Sequence, residues 1–212
     1  MLAVLLLTQA LVFEPVDIEV RDGMRVLAEQ GTLVVPLRHA EPNGAVIRLR
    51  VVRFAAHPGA SGPPLLYLSG GPGDSGVGDL QAFPAPLLDS LRANGDVLAL
   101  DQRGTGLSEP RVPACPAGPA LPLDRPGNPA LDLPLFQRHA SACVAHWKRQ
   151  GIDLRAFTTD ENADDVEALR RARGGGPIAL LAGSYGSHLA FAVVRRHPGS
   201  VARIALFGIE GP

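Results

Sequence analysis

Several features that mark common protein classes are scarce in this chain. Its longest uninterrupted run of apolar residues spans positions 1–7, which is too short to cross a bilayer, so we expect no membrane span. Basic residues are scattered, with Lys148 the only lysine, and the formal net charge is −1. Proteins that bind nucleic acids instead concentrate positive charge on one face, so we expect no nucleic-acid partner.

Cysteine is also scarce, since the 212 residues contain only Cys115 and Cys143. No second pair of cysteines or histidines lies at the spacing of metal ligands, so we expect no metal site. The two cysteines bracket a loop rich in proline and glycine, and two interpretations stay open: free buried thiols, or a disulfide. A disulfide closing a loop of about 28 residues would contribute about 3 kcal/mol in the chain-entropy model and would fit an oxidising compartment.

The length and the hydrophobic content of 46% are enough to bury one core, so we expect one domain over residues 13–212. Residues 1–12 are an apolar N-terminal segment with two interpretations. The segment is either the remnant of a signal peptide that lacks the usual basic region, or a buried first strand. The signal-peptide and disulfide interpretations favour an extracytoplasmic location, secreted or periplasmic, and a cytoplasmic location is the alternative.

The stretch from residue 178 to residue 187 carries the strongest signal. Five apolar residues, typical of a buried parallel strand, lead to Gly183; Ser184 follows, and a helical pattern begins after Gly186. A serine between a strand and a helix, flanked by small residues, indicates a nucleophile elbow that presents the hydroxyl above the sheet. The usual signature is Gly-x-Ser-x-Gly, and here Ala182 is the small residue at its first position. We therefore predict that Ser184 is a catalytic nucleophile.

A glycine-rich loop at residues 69–76 follows a short apolar strand. Glycines leave backbone N–H groups unobstructed, and an oxyanion hole combines an N–H of such a loop with that of the residue after the nucleophile. We predict Gly71 and Tyr185 as the donors, with Gly70 as the neighbouring candidate. A phosphate-binding loop is the competing interpretation, and it is disfavoured because no Gly-Lys-Ser/Thr follows and Pro72 lacks an N–H.

A third stretch, residues 96–108, runs from an apolar strand into Asp101, Arg103 and two glycines. An acid and an arginine at the carboxyl edge of a strand can pair with each other and brace the neighbouring loops. We predict this structural role for Asp101 and Arg103, in preference to direct catalysis.

The rest of the chain predicts an α/β architecture with a mostly parallel sheet and flanking helices. Residues 31–37 and 45–54, joined by a turn rich in Pro, Asn and Gly, predict an antiparallel hairpin at one edge of the sheet. Residues 110–134 are rich in proline and predict an irregular surface excursion. Two helices, at 135–147 and 163–173, and a strand at 201–207 complete the pattern; a capping box at 158–161 opens the second helix, whose charges indicate a solvated face.

The three motifs and their order resemble the α/β-hydrolase family of prolyl iminopeptidases and secreted tripeptidyl aminopeptidases. They read Ser-Gly-Gly-Pro-Gly from Ser69, Asp-Gln-Arg-Gly-Thr-Gly-Leu-Ser from Asp101 and Gly-Ser-Tyr-Gly-Ser from Gly183. The resemblance runs from about residue 31 to residue 212 and implies an α/β-hydrolase fold, with Ser184 as its nucleophile. The family usually has histidine where this chain has Ser69, a difference that should alter the support of the loop more than its backbone donors.

Only 28 residues follow Ser184, and no histidine follows Glu210. In α/β-hydrolases an acid and then a histidine follow the nucleophile in sequence. His188, one helical turn after Ser184, is more typical of helix packing than of a base. We therefore expect the N-terminal half of such a domain, truncated after the strand that follows the nucleophile helix. The triad Asp and His, the cap and the C-terminal strands would then belong to a missing C-terminal segment or a second chain.

The resemblance also implies a serine hydrolase that needs no cofactor and acts on a peptide or an ester. The expected activity is that of an aminopeptidase that releases N-terminal residues or tripeptides through a Ser184 acyl-enzyme. An esterase on the same fold is one alternative, and a catalytically inactive fragment or binding module is another. We expect this chain alone to be inactive, because loss of the base costs on the order of a million-fold in turnover.

Overall fold

The computed structural model describes residues 11–116, 118–120 and 124–211, which form two compact units. The first unit comprises the described residues up to 111 and from 158 onward, and the second comprises those from 112 to 157. The strands, all in the first unit, are β1 Phe13–Glu19, β2 Arg25–Pro36, β3 Val46–Phe54, β4 Leu65–Leu68, β5 Val97–Leu100, β6 Ile178–Gly183 and β7 Val201–Phe207. The helices are α1 Gly76–Gln81, α2 Ala85–Arg92, α4 Thr159–Ala172 and α5 Tyr185–Arg196 in the first unit, with α3 Pro129–Arg149 and a 3₁₀ turn Leu154–Ala156 in the second. None of the helices in these residues has the length and apolarity that crossing a membrane requires.

The seven strands form one sheet in the order β1-β2-β3-β5-β4-β6-β7. Strands β1, β2, β3 and β5 pair antiparallel, whereas β5, β4, β6 and β7 pair parallel. The predicted α/β class is confirmed, and the parallel half of the sheet carries the crossovers that lead to α4 and α5. Ser184 therefore lies at the carboxyl end of a parallel strand, where the open sheets of α/β proteins place their sites.

The β2–β3 hairpin does not lie at the sheet edge, contrary to expectation. Strand β1 pairs with β2 along its whole length, from Phe13 opposite Gly31 to Glu19 opposite Arg25, and takes the edge position. Its sequence has weak strand propensity because it contains Pro15 and three acidic residues. Proline is tolerated on an edge strand, where the missing N–H leaves no ladder bond unmade.

Alternate side chains of the central strands enter two separate apolar cores. In β5, Leu98 and Leu100 join the core on one face of the sheet, whereas Val97 and Ala99 join the core on the other. Helices α4 and α5 cover the first face, and α1 and α2 cover the second. Strands covered on both faces read as unbroken apolar runs, which explains why β4 and β5 were recognisable in the sequence.

The start of α4 differs in one detail from the predicted capping box. The hydroxyl of Thr158 accepts a hydrogen bond from the N–H of Glu161 at 3.3 Å, as a capping box requires. The carboxylate of Glu161 instead accepts from the N–H of His39 at 2.9 Å. The side chain that should close the box thus connects α4 to the turn between β2 and β3.

Helix α3 begins at Pro129, where the sequence pattern predicted a start at residue 135. The side chain of Asn128 accepts a hydrogen bond from the N–H of Ala130 at 3.1 Å and caps the helix. Proline at the first helical position needs no N–H partner, so Asn-Pro opens a helix here. In this unit Cys143 of α3 forms a disulfide with Cys115, with their Cα atoms 5.4 Å apart.

Candidate active site

Ser184 occupies the sharp turn between β6 and α5. Its φ of 50° and ψ of −129° make it the non-glycine residue with positive φ in the described part of the chain. The turn is held by backbone bonds on both sides: the N–H of Ser184 donates to the carbonyl of Phe207 at 3.1 Å, and its carbonyl accepts from the N–H of Ser187 at 2.8 Å. Such an unfavourable backbone conformation persists only where the surrounding structure enforces it.

The neighbours of Ser184 are small because other backbone segments approach closely. A Cβ added to Gly186 would run into the carbonyl oxygen of Leu68, and one added to Gly183 would run into the ring of Phe207. A Cβ on Gly70 would lie 3.3 Å from the Cβ of Ser184. Helix α5 therefore begins directly against the end of β4, with the glycine-rich loop beside the serine.

The backbone near Ser184 supplies candidate N–H donors. Tyr185 is the first residue of α5, so its N–H has no acceptor within the helix. Gly71 has φ of 102°, a conformation that favours glycine, and a Cβ there would lie 2.6 Å from the backbone N of Gly73. Gly70 lies close to Ser184, since a Cβ added to it would be 3.3 Å from the Cβ of the serine. Gly71 and Tyr185 stay the predicted donors, with Gly70 as the neighbouring candidate.

Ser69, which stands where the family usually has histidine, is fully buried under the loop. Its hydroxyl donates to the carbonyl of Asp74 at 3.1 Å. The side-chain amide of Gln102 donates to both the carbonyl and the hydroxyl of Ser69 at 3.3 Å. Gln102 thus supports the start of the glycine-rich loop from the end of β5, a role that the sequence analysis did not assign to it.

The carboxylate of Asp101 braces two loops at the carboxyl edge of the sheet. One oxygen accepts from the hydroxyl of Ser75 at 2.6 Å and from the N–H of Val77 at 3.1 Å. The other accepts from the N–H of Leu107 at 2.9 Å. Asp101 is 1% exposed, and its carboxylate accepts hydrogen bonds from the backbone and a hydroxyl of these loops.

In the part of the chain that the structure describes, Arg103 contacts a different set of segments from Asp101. Its guanidinium donates twice to Asp165 of α4, at 2.7 and 2.6 Å, and once to the carbonyl of Leu37 at 2.8 Å. The ring of His39 bonds to the same carboxylate at 2.8 Å. Asp165 is fully buried, so the expectation of a wholly solvated face on α4 was wrong at this residue.

The carboxylate of Glu210 lies beside the hydroxyl of Ser184. The Oγ of Ser184 donates to Oε1 of Glu210 at 3.0 Å. The N–H of Glu210 donates to the hydroxyl of Ser187 at 2.9 Å, and that hydroxyl donates to the carbonyl of Ser184 at 2.6 Å. Two serines of the elbow therefore hold the segment after β7 against the turn.

Each of the six histidines contacts a group other than the hydroxyl of Ser184. His188 bonds to the carbonyl of Gly211 at 3.3 Å, with its ring 5.9 Å from that of Tyr185, and His197 bonds to Asp164 at 2.8 Å. The remaining four and their partners are His39 with Asp165, His57 with Asp89, His139 with Cys143 and His146 with Gln150. Within the described residues the geometry therefore assigns no histidine as the base of Ser184.

Two tyrosines near the elbow stay protonated. Burial raises the pKa of Tyr185, and a hydrogen bond between its hydroxyl and that of Thr159 at 3.0 Å opposes the rise. Burial, then the charge of Asp79, raises the pKa of Tyr67, whose hydroxyl donates to that carboxyl at 3.2 Å. Burial also raises the pKa of Asp79 itself. The two tyrosines therefore support the site by packing and hydrogen bonding.

Known proteins are similar to this chain in sequence. Residues 63–211 match the sequence profile of the alpha/beta hydrolase fold. A tripeptidyl aminopeptidase of Streptomyces lividans is 31% identical over 202 residues, which cover 86% of this chain and 35% of that protein. The serine protease Hip1 of Mycobacterium tuberculosis is 27% identical over 191 residues, which cover 86% of this chain and 36% of that protein.

Among solved structures, a proline iminopeptidase-related protein from Thermus thermophilus matches with 23% identity and a TM-score of 0.46, over 84% of this chain and 44% of that chain. The chain spans about a third of the length of the curated relatives it matches. The profile match covers more than half of the chain and includes the glycine-rich loop, Asp101, Arg103 and the turn at Ser184. The resemblance is confirmed: the chain belongs to the α/β-hydrolase fold family.

Proposed function

We propose that this chain is the N-terminal part of a serine aminopeptidase in which Ser184 is the nucleophile. The observation that carries the proposal is the positive φ of Ser184 at a strand–turn–helix junction, where a serine is uncommon unless its hydroxyl must project from the turn. The names of the two curated relatives, an aminopeptidase and a serine protease, support a peptide substrate. The disulfide supports an extracytoplasmic location.

In the proposed reaction the Oγ of Ser184 attacks the carbonyl carbon of the scissile bond while a general base takes the hydroxyl proton. The backbone N–H groups of Gly71 and Tyr185 stabilise the negative charge on the carbonyl oxygen, and the N-terminus of α5 adds its dipole. The amine leaves with a proton, and water then releases the acyl group from the serine. The histidine and acid of the triad would come from a further segment or a second chain.

An intact-mass measurement with a fluorophosphonate tests the nucleophile, because such probes react only with an activated serine. The longer protein should gain one adduct, which Ser184→Ala should remove. Ser90→Ala, on the exposed face of α2, is the matched control and should keep the adduct. An adduct that survives in Ser184→Ala would refute the assignment. The 212-residue chain alone should react on the order of a million-fold more slowly if the base lies elsewhere.

Substrate preference separates an aminopeptidase from an esterase. We expect the longer protein to cleave aminoacyl or tripeptidyl amides with a free N-terminus and to lose this activity when the N-terminus is acetylated. An esterase would hydrolyse simple aryl esters and tolerate acetylation. A longer protein that folds, yet shows neither activity nor an adduct, would favour the binding-module alternative.

A further inference from the structure

We propose that the second unit binds one zinc-type divalent metal ion through Cys115, His139 and Cys143 once the disulfide between the two cysteines is reduced. One ligand atom of each residue lies within 4.8 Å of the others. The three residues lie in the unit made of residues 112–157, whereas Ser184 lies in the other unit. The proposal therefore does not depend on the proposed function.

The spacing on α3 already matches one edge of a tetrahedral site. His139 and Cys143 are four residues apart, so their side chains share one face of the helix. The Nε2 of His139 lies 3.5 Å from the Sγ of Cys143, closer than Nδ1 at 4.0 Å. With Zn–S near 2.3 Å and Zn–N near 2.1 Å, neighbouring ligand atoms of a tetrahedral zinc ion are about 3.6 Å apart. The distance between Nε2 and the sulfur is thus close to the one that a shared metal ion requires.

Contacts on both sides of Cys115 hold it near α3 without help from the disulfide. The indole N–H of Trp147, one turn after Cys143, donates to the carbonyl of Pro113 at 2.8 Å. A Cβ added to Gly118 would lie 3.3 Å from the Nε2 of His139, so the loop after Cys115 lies against the ring. Neither contact involves a sulfur atom, so breaking the S–S bond does not in itself remove them. The two sulfurs then need to separate only to about 3.8 Å, their distance when both bind one zinc ion.

The proposed reaction has two balanced steps: reduction of the disulfide and binding of the metal ion. A dithiol reductant transfers two electrons and two protons to the disulfide and itself becomes a disulfide, so the S–S bond breaks and two thiols form. The metal ion displaces the two thiol protons and binds two thiolates and the neutral imidazole, and water fills the fourth position. Two thiolates neutralise the charge of the ion, and sulfur with imidazole nitrogen is a ligand set that suits Zn²⁺.

The sequence predicted no metal site because it contains no second pair of cysteines or histidines at the spacing of metal ligands. The pair on α3 is mixed, a histidine and a cysteine one helical turn apart. The predicted helix at 135–147 already contained both residues, and the structure adds that the ring of His139 lies beside the two sulfur atoms. The disulfide in the structure describes the oxidised state, and the metal would hold the same loop in the reduced state.

Cobalt titration of the reduced 212-residue chain tests the site. A phosphine is the suitable reductant, since it takes an oxygen atom from water as it gives up two electrons and brings no competing thiolate. Anaerobic addition of Co²⁺ should produce thiolate-to-cobalt charge-transfer absorption and tetrahedral d–d bands that saturate at one equivalent. Zn²⁺ should then remove both signals, and the oxidised chain should give neither. Reduced, folded chain without these bands would overturn the proposal.

Two variants separate ligation from non-specific binding. His139→Ala should weaken Co²⁺ binding about tenfold or more, since even partners outside the first ligand shell contribute 10–100-fold to metal affinity. His146→Ala is the matched control, because His146 lies on the same helix and bonds to Gln150 at 2.8 Å. Equal affinities for His139→Ala and the unchanged chain would refute ligation by His139, as would an equal loss in His146→Ala.

If reduction of the disulfide unfolds α3, far-UV circular dichroism provides the test. In that event Zn²⁺ should restore the helical signal, because ligand binding to a folded site supplies folding free energy. A reduced chain that regains neither helicity with Zn²⁺ nor absorption with Co²⁺ would overturn the proposal.

Discussion

At the scale of single residues, two arginines stabilise the ionised form of Glu167 in α4. Arg170 donates to its carboxylate at 2.7 and 2.9 Å, and Arg171 donates at 2.6 Å. The bond from Arg170, then that from Arg171, lowers the pKa of Glu167 from 4.5 to about 2, although burial acts in the opposite direction. A lowered pKa in the folded state means that the ionised form stabilises the fold above pH 4.5, and this stabilisation is lost as the pH falls toward 2.

We predict that Glu167→Gln lowers the free energy of unfolding by about 1–2 kcal/mol at neutral pH, a value reduced because solvent screens the exposed Arg171. The difference from the unchanged chain should shrink as the pH falls from 4.5 toward 2. Urea unfolding across this range measures it. Glu19→Gln, at an exposed position on β1, is the control. A difference that stayed constant across the range would contradict the role of ionisation.

The contacts around the elbow separate what the sequence could predict from what it could not. Ser184 and its small neighbours were predictable because a strand–turn–helix junction imposes size limits within a few residues. The bond of Gln102 to Ser69 and that of Arg103 to Asp165 join residues 33 and 62 positions apart. A single sequence does not record which distant side chains meet, so these partners required the structure.

At the scale of secondary-structure elements, the close approach of α5 to β4 depends on Gly186. No side chain fits between the helix and the carbonyl of Leu68. We predict that Gly186→Ala lowers the free energy of unfolding by about 3 kcal/mol, since overpacking a tight contact forces the backbone to move. Gly176→Ala is the matched control, because a Cβ at Gly176 meets nothing within 4 Å. Similar unfolding curves for both variants would argue against the tight contact.

The elements that the sequence predicted well share strong local signals. The strands β4, β5 and β6 are unbroken apolar runs, and α4 begins at a recognisable cap. The missed elements have mixed signals: β1 contains proline and acids, and the first turn of α3 lies in a proline-rich stretch. In both cases tertiary pairing or capping outweighs the local propensity.

At the scale of the first unit as a whole, Arg103 connects three segments that are distant in sequence: the loop after β5, the turn after β2, and α4. We predict that Arg103→Lys lowers the free energy of unfolding by about 2–3 kcal/mol, because an ammonium group cannot form the paired bonds to Asp165. Arg195→Lys is the control, since Arg195 is 66% exposed in its ion pair with Asp160. Thermal unfolding that gave equal losses for both variants would refute the bracing role.

The order of strands in the sheet also has a consequence for how the nascent chain folds. Strand β4 lies between β5 and β6, yet β6 begins at Ile178, far along the chain from Leu68. Closing so long a loop is slow, because chain entropy must be lost before the strands can pair. The disulfide removes a stretch of 28 residues from the path between β5 and β6. Under oxidising conditions a shorter loop therefore has to close before β6, the strand that leads to Ser184, can pair with β4.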